Sequence, residues 1–353
     1  MAVDAPPLPE HWSSESSGDL RDDWAFCWNR LLEVSRTFSR PIEMLSEELR
    51  VATTCGYLLC RIADTVEDHP TLAPRRRDTL YRAFLGVLED GEPSDRFTNR
   101  FSEVPGDGPE YELSERLDRV MSVFRRLPDE VARDCVQWVG EMTRGMQLYG
   151  HRPQNDDGLA VLMNMSDLER YCYYVAGTVG HMLTDLFIHD IDGLSADRHR
   201  QLKTTAERFG LGLQMVNILK DQTDDLERSW CFIPASLAAR EGLEPMELFE
   251  PAHRERAHRA VEPIFDRAAD HLDAAFDYTL AIPPGESDIR LFCLLPLWMA
   301  VRTLVYARGN DAMFREGEPV KIERSEVESL IADCVERVGD DDALRDRYAE
   351  LWE

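Results

Sequence analysis

Two stretches of this chain carry acids where an apolar helix has no use for them. In YLLCRIADTVED, residues 57–68, the side chains of Tyr57, Arg61, Asp64 and Asp68 are spaced 4, 3 and 4 apart. A helix turns about 100° per residue, so the four fall on one narrow stripe beside an apolar face. In GLGLQMVNILKDQTDDLERSWCFIP, residues 210–234, the helical spacing recurs through Gln214, Asn217, Asp221 and Asp225, with Asp224 alongside. A solvated helix surface with an ion pair would explain either stretch alone. Two copies of D-x-x-x-D point elsewhere, because crowded carboxylates are costly unless a positive charge neutralises them. Magnesium neutralises them with one or two protein carboxylates and leaves its other positions to water and substrate phosphates. The expected chemistry is a magnesium–diphosphate cage between two helices that face one another.

The elements that must position these residues are helical throughout. Apolar periodicity predicts helices over about 21–38, 43–69, 73–90, 114–126, 128–150, 166–190, 196–228, 252–281, 288–308 and 324–350, the last interrupted near Gly339. Alternating strand patterns are absent. Punctuation falls at DGEPSDRFTNRFSEVPGDGPEY, GHRPQNDDG and IPPGES, and the first of these is long enough for a surface insertion or a mobile flap. With no repeat and no linker between self-sufficient halves, the expectation is a flexible tail over 1–20 and one all-α domain over 21–353.

Composition narrows the function. Net charge is −27, with 67 acidic and 40 basic residues. That excludes a basic footprint for nucleic acid, and it requires a bridging cation for any anionic ligand. Only Lys203, Lys220 and Lys321 among the basic residues are lysines. An acid-rich, lysine-poor surface suits a salty cytosol, and a GC-rich genome gives the same bias. The eight cysteines include no C-x-x-C pair and sit among apolar neighbours, which suits reduced core residues in a cytosolic protein. The N-terminus lacks a basic start and an apolar h-region, so no secretory signal is expected. The apolar run 291–301 contains Pro296 and falls short of the roughly 20 residues that span a bilayer.

Four separated motifs resemble those of the squalene/phytoene synthase family: VSRTF at 34–38, YLLCRIADTVED, YCYYVAGTVG at 171–180, and NILKDQTDD at 217–225. LFCLLPLWMAVRTL followed by VKIER is similar to the family's squalene synthase branch. The resemblance implies an all-α isoprenoid synthase fold with a central cavity. It also implies head-to-head condensation of two farnesyl diphosphates through presqualene diphosphate, then reduction by NADPH to squalene.

On that resemblance, Asp64, Asp68, Asp221 and Asp225 would hold Mg2+, and Tyr171 would assist proton transfer. Arg61 and Lys220 would contact diphosphate oxygens, with Tyr57, Gln214, Asn217 and Arg228 as further substrate contacts. Ser35, Arg36, Phe38, Lys321 and Arg324 would serve NADPH, for which no Rossmann glycine motif is present. Small Ala176, Gly177 and Gly180 would leave space for polyprenyl chains.

The chain departs from the family pattern at Trp230, where an arginine is usual, and Arg228 is the nearest substitute. The membrane anchor of the eukaryotic enzymes is also missing, so a cytoplasmic protein with at most peripheral membrane contact is expected. Enzymes that stop at presqualene diphosphate or make dehydrosqualene or phytoene without reduction are the alternatives within the family. A non-catalytic helical scaffold is the alternative outside it.

Overall fold

A computed structural model describes residues 4–13, 18–35, 37–318 and 320–353. The chain is all-α, and it falls into two compact units. One is drawn from Met1–His151 with His181–Leu194, the other from Arg152–Gly180 with Ser195–Glu353.

In the first unit the helix Glu47–Glu67 is buried along nearly its whole length, from Leu49 to Val66. Helices Gly18–Val34, Pro74–Glu89, Pro109–Glu115, Leu117–Phe124 and Asp129–Tyr149 pack around it. Pro74 and Pro109 stand in the first turns of their helices, where a missing N–H costs nothing. Within the stretch expected as a tail, Pro6 O accepts from Trp24 Nε1 of the helix Gly18–Val34 at 2.7 Å and Trp12 is buried.

The punctuated segment 90–111, long enough in sequence for a surface insertion or a mobile flap, is anchored by aromatic side chains. It contains the helix Asp95–Phe101, whose Phe97 and Phe101 are buried. Phe84, Phe97, Phe101 and Tyr111 follow one another at ring distances of 5.5–5.9 Å. The glycines and prolines around it hid an i,i+4 pair of aromatic anchors, which is enough to dock one short helix.

In the second unit Ala196–Lys220 lies along Arg254–Ala281, and Ser287–Ala307 packs on both. Ser195 caps Ala196–Lys220, its side chain accepting from Arg198 N. The expected helix 166–190 is divided into Met165–Cys172, a π-helical turn Tyr173–Gly177, and Thr178–Asp190. The C-terminal pair, Arg324–Arg337 and Asp341–Leu351, is separated at Gly339 as the sequence predicts.

Gly177, Gly180 and Gly210 bring the π turn and the helix after it against Ala196–Lys220. A Cβ on Gly210 would stand 2.1 Å from Ala176 O, and one on Gly180 would stand 2.3 Å from Ala206 O. Gly180 and Gly210 therefore admit a neighbouring backbone, and a Cβ on Gly177 would meet the side chains of Leu211 and Tyr173 at 3.0 Å, where the sequence suggested room for substrate at Ala176, Gly177 and Gly180.

Ser287–Ala307 runs for 21 residues and is long and apolar enough to cross a membrane by length and composition. It extends well past the 11-residue apolar run seen in the sequence, because Pro296 is accommodated inside the helix. Most of its apolar window, 78%, is buried inside the protein.

Two features were not visible in the periodicity. Ala160–Val161 and Trp230–Cys231 form a parallel ladder of two residues each, too short to register as alternation. All eight cysteines are buried and unpaired, and burial pushes the thiols of Cys135 and Cys231 up to about 12.

Candidate active site

The first acidic motif lies at the C-terminal end of Glu47–Glu67. Asp64 occupies the last turn and Asp68 is the C-cap, its N–H donating to Asp64 O at 2.8 Å. Arg61 Nη1 stands 3.8 Å from Asp64 Oδ2, and Arg61 Nη2 donates to Tyr57 Oη at 3.3 Å and to Val34 O at 3.4 Å. Tyr57 Oη also donates to Val34 O at 3.4 Å. Burial of the Arg61 guanidinium works against its charge, but Asp64, Tyr57 and Asp68 outweigh it and hold the pKa above the ordinary arginine value. The stripe read from spacing is thus a connected group in this unit, with Asp64 half-buried and Asp68 exposed.

The second motif is built differently from the continuous helix expected over 196–228. The helix Ala196–Lys220 ends at Asp221, which leaves the helical region at φ −108° and ψ 19°, and Gln222–Glu227 follows. Backbone bonds still bridge the bend, from Asp221 N to Asn217 O at 2.9 Å and from Asp225 N to Asp221 O at 3.1 Å. Lys220 Nζ pairs with Asp221, and Arg228 Nη2 pairs with Asp225 at 2.5 Å. Asp225 is 5% exposed, Gln214 is half-buried and Asn217 is exposed.

Ser229, at φ +60°, turns the chain sharply between Arg228 and Trp230. Trp230 and Phe232 then share one face of the short strand region and stack at 5.0 Å with an interplanar angle of 7°. Tyr171 stacks on Phe232 at 4.6 Å and is 6% exposed. An aromatic layer thus stands where the family pattern has an arginine, and the W-x-F alternation is the sequence signal for it.

His69, directly after the first motif, is a contact the sequence reading missed. Its Nδ1 accepts from Thr71 N at 3.2 Å and Leu72 N at 3.1 Å. That leaves Nε2 to donate to Pro105 O at 2.8 Å. The ring fastens the segment 90–111 to the end of the acidic helix.

Among the described residues, no group of three or more His, Cys, Asp or Glu side chains is gathered to hold a metal by itself. Two carboxylates in each motif match magnesium, which prefers hard oxygen donors and completes its shell with water and phosphate. For NADPH the matching groups are Lys321 and Arg324, exposed cations suited to phosphate. Arg324 Nε lies 3.3 Å from Glu328. Ser35 is buried, with its Oγ accepting from Phe38 N at 3.1 Å, and Phe38 packs against Tyr57 at 6.1 Å. Arg36 lies outside the described residues.

Helices carrying two aspartate motifs, with a tyrosine beside the second, define a chain of the all-α isoprenoid synthase class. Residues 31–326 match the squalene/phytoene synthase family, and the chain belongs to it. Squalene synthase BSS of Botryococcus braunii is 28% identical over 297 residues, 83% of this chain and 60% of that protein. The squalene synthase of Schizosaccharomyces pombe is 28% identical over 309 residues, 88% of this chain and 64% of that one. This chain therefore spans under two thirds of the length of these relatives. Among solved structures, TcSQS in complex with the ligand BPH1237 superposes with a TM-score of 0.76 at 26% identity, covering 90% of this chain and 87% of that one. A dehydrosqualene synthase superposes at 0.63 with 20% identity, covering 91% and 98%, which is a likeness of fold alone.

Proposed function

We propose that this chain is a magnesium-dependent farnesyl-diphosphate farnesyltransferase that condenses two farnesyl diphosphates head-to-head and reduces the product to squalene. The observation that carries the reading is the pair of aspartate motifs, each with a basic side chain against its carboxylates, in a chain similar to proteins named squalene synthase. Bound magnesium would supply Lewis-acid withdrawal of charge from a diphosphate leaving group, and bound NADPH would supply the hydride of the reductive half.

The chain's own residues do the rest. Asp64, Asp68, Asp221 and Asp225 are the carboxylates that hold the metal. Arg61 and Lys220 donate charge-assisted hydrogen bonds to diphosphate oxygens, with Arg228 as the nearest cation to the position that Trp230 occupies. Tyr57, Gln214 and Asn217 orient the diphosphate from the same stripes. Tyr171, fixed by its stack on Phe232, takes part in the proton transfer that closes presqualene diphosphate. Lys321 and Arg324 attract the phosphates of NADPH, with Ser35, Arg36 and Phe38 as the second element of that site. The protein works in the cytoplasm and meets membranes at their surface, where farnesyl chains and squalene partition.

A second reading stops before reduction, at presqualene diphosphate, dehydrosqualene or phytoene. Arg324, with its side chain 93% exposed and held by Glu328, and Ser35, with its hydroxyl turned inward, favour it. The deciding experiment incubates purified protein with farnesyl diphosphate and Mg2+, with and without NADPH, and identifies the lipid product. Squalene is expected only with NADPH, and the same product in both arms would replace the first reading with the second. Asp64→Asn and Asp221→Asn are each expected to abolish diphosphate release, and near-normal turnover in either would refute the metal role of that motif.

A further inference from the structure

Tyr171 and Trp230 come from two segments that the backbone fastens together. Ala160 N donates to Ser229 O at 2.9 Å, and Ala235 N and Ser236 N donate to Leu162 O and Met163 O at 2.8 and 3.1 Å. With the ladder of Ala160 on Trp230 and Val161 on Cys231, these bonds tie the chain just ahead of the helix Met165–Cys172 to the strand region that carries Trp230 and Phe232. Asn164 caps that helix, its side chain accepting from Asp167 N at 3.0 Å, and Arg152 holds Asp167 at 2.7 Å. The start of the helix that bears Tyr171 is thus fixed on the segment that bears Trp230.

The side chains close the arrangement. Tyr171 lies 4.6 Å from Phe232 and 6.2 Å from Trp230, at 26° to each, and Trp230 lies 5.0 Å from Phe232 at 7°. A straight stack would set Tyr171 and Trp230 two full steps apart, so the three rings instead form a triangle in which each meets both others. Tyr171 and Phe232 are buried and Trp230 is half-buried. Flat contacts from two rings fix the plane of the phenol, and with it the line along which the hydroxyl points. Resting on the proton-transfer role proposed for Tyr171, we infer that Trp230 is a positioning residue for it, the indole holding the phenol in the orientation from which its hydroxyl moves a proton. Displacing such a group costs rate rather than binding, on the order of a hundredfold for about 1 Å. Loss of the indole should therefore fall on kcat, and only while the Tyr171 hydroxyl is present.

The test measures kcat and KM for presqualene diphosphate formation from farnesyl diphosphate and Mg2+ without NADPH. Trp230→Leu keeps apolar bulk without a flat ring, and Trp230→Phe keeps a ring. Trp230→Leu is expected to lower kcat by roughly ten- to a hundredfold with KM changed by less than about twofold, and Trp230→Phe to recover most of the loss. In a Tyr171→Phe background, which lacks only the hydroxyl, adding Trp230→Leu should lower the remaining rate by less than about twofold, because two residues that act as one are not additive. Circular dichroism melts check that Trp230→Leu folds, and Trp230→Met takes its place if it does not. A loss from Trp230→Leu that persists in full in the Tyr171→Phe background, a rise in KM at unchanged kcat, or equal rates for the leucine and phenylalanine variants would overturn the positioning role and leave the role of Tyr171 standing. A wild-type rate for Tyr171→Phe alone would overturn the role proposed for Tyr171 and the inference with it.

Discussion

Replacing Arg290 with methionine tests what holds the second unit together. Arg290 lies in the first turn of Ser287–Ala307 and is 0% exposed. Its Nε and Nη2 donate to Ile282 O at 2.9 and 2.7 Å, and Nη1 donates to Val338 O at 3.0 Å and to Asp341 Oδ1 at 2.7 Å. One guanidinium therefore joins the end of Arg254–Ala281 and the break before Asp341–Leu351 to its own helix. Methionine keeps most of the stem volume and removes every donor. Two carbonyls lose their partner, at ~1–3 kcal/mol each. Asp341, with its side chain 31% exposed, recovers much of its solvation from water and adds little. The expected loss is about 3–5 kcal/mol, in line with breaking a buried charged network. At roughly 2–4 °C per kcal/mol for a unit of this size, the melting temperature should fall by about 6–20 °C. Circular dichroism melts with matched urea titrations measure it, and Arg290→Lys should lie between wild type and Arg290→Met. A drop under about 2 °C would show that water replaces the guanidinium and that the three segments hold without it.

Three further outcomes follow from the same packing. Gly210→Ala drives a methyl into the Ala176 backbone and should destabilise by ~1–3 kcal/mol, whereas Gly285→Ala, where a Cβ meets nothing within 4 Å, should be neutral in the same melt. Ser229→Gly removes the steric penalty of a left-handed residue, ~1–2 kcal/mol, against an entropic cost of ~0.5–1, so a small rise in melting temperature is expected and a fall would refute the strain. Burial lowers the His271 pKa from its ordinary 6.5 to about 4, with Arg208 and Arg267 adding to the shift. The unfolded chain then binds the extra proton between those two values, so stability should fall as pH drops from about 6.5 to about 4, by up to about 3 kcal/mol. Urea midpoints across that range measure it, and His271→Gln should flatten the slope.

Most of the helical frame is legible in the sequence because its apolar residues keep a 3.6-residue period, and helix type follows from that period alone. What is not legible depends on partners distant in sequence. Arg290 reads as a charge at the edge of an apolar run, and nothing local says that its fork meets Ile282 and Val338. Gly177 and Gly180 read as vacancies, yet Gly177 is filled by the side chains of Leu211 and Tyr173 and Gly180 by the Ala206 backbone, neighbours that sequence cannot place. The bend at Asp221 is invisible for the opposite reason, since the i,i+4 spacing survives it through the two bridging backbone bonds. At the site, residue identity in both acidic motifs is readable, and so is the departure at Trp230. The aromatic layer that Trp230 builds with Phe232 and Tyr171 requires the turn at Ser229.

Equal spacing also conceals how differently the two motifs are seated in their helices. The last turn of Glu47–Glu67 contains no basic residue, and it gathers Asp64, Glu67 and the Asp68 cap. Acids at a helix C-terminus oppose the macrodipole, so each of these weakens the helix that carries it. Arg61 compensates from one turn back, at 3.8 Å and with its charge shared among Tyr57 and the Val34 carbonyl. The helix Ala196–Lys220 ends instead with Lys220 in its last turn, and Arg228 answers Asp225 from the next. In the second motif Lys220 and Arg228 answer two acids within a few residues, while Asp224 and Glu227 keep the segment net negative. In the first, acids at the helix end run against the preference of the helix that carries them. Excess acid at both motifs is what the proposed magnesium would neutralise.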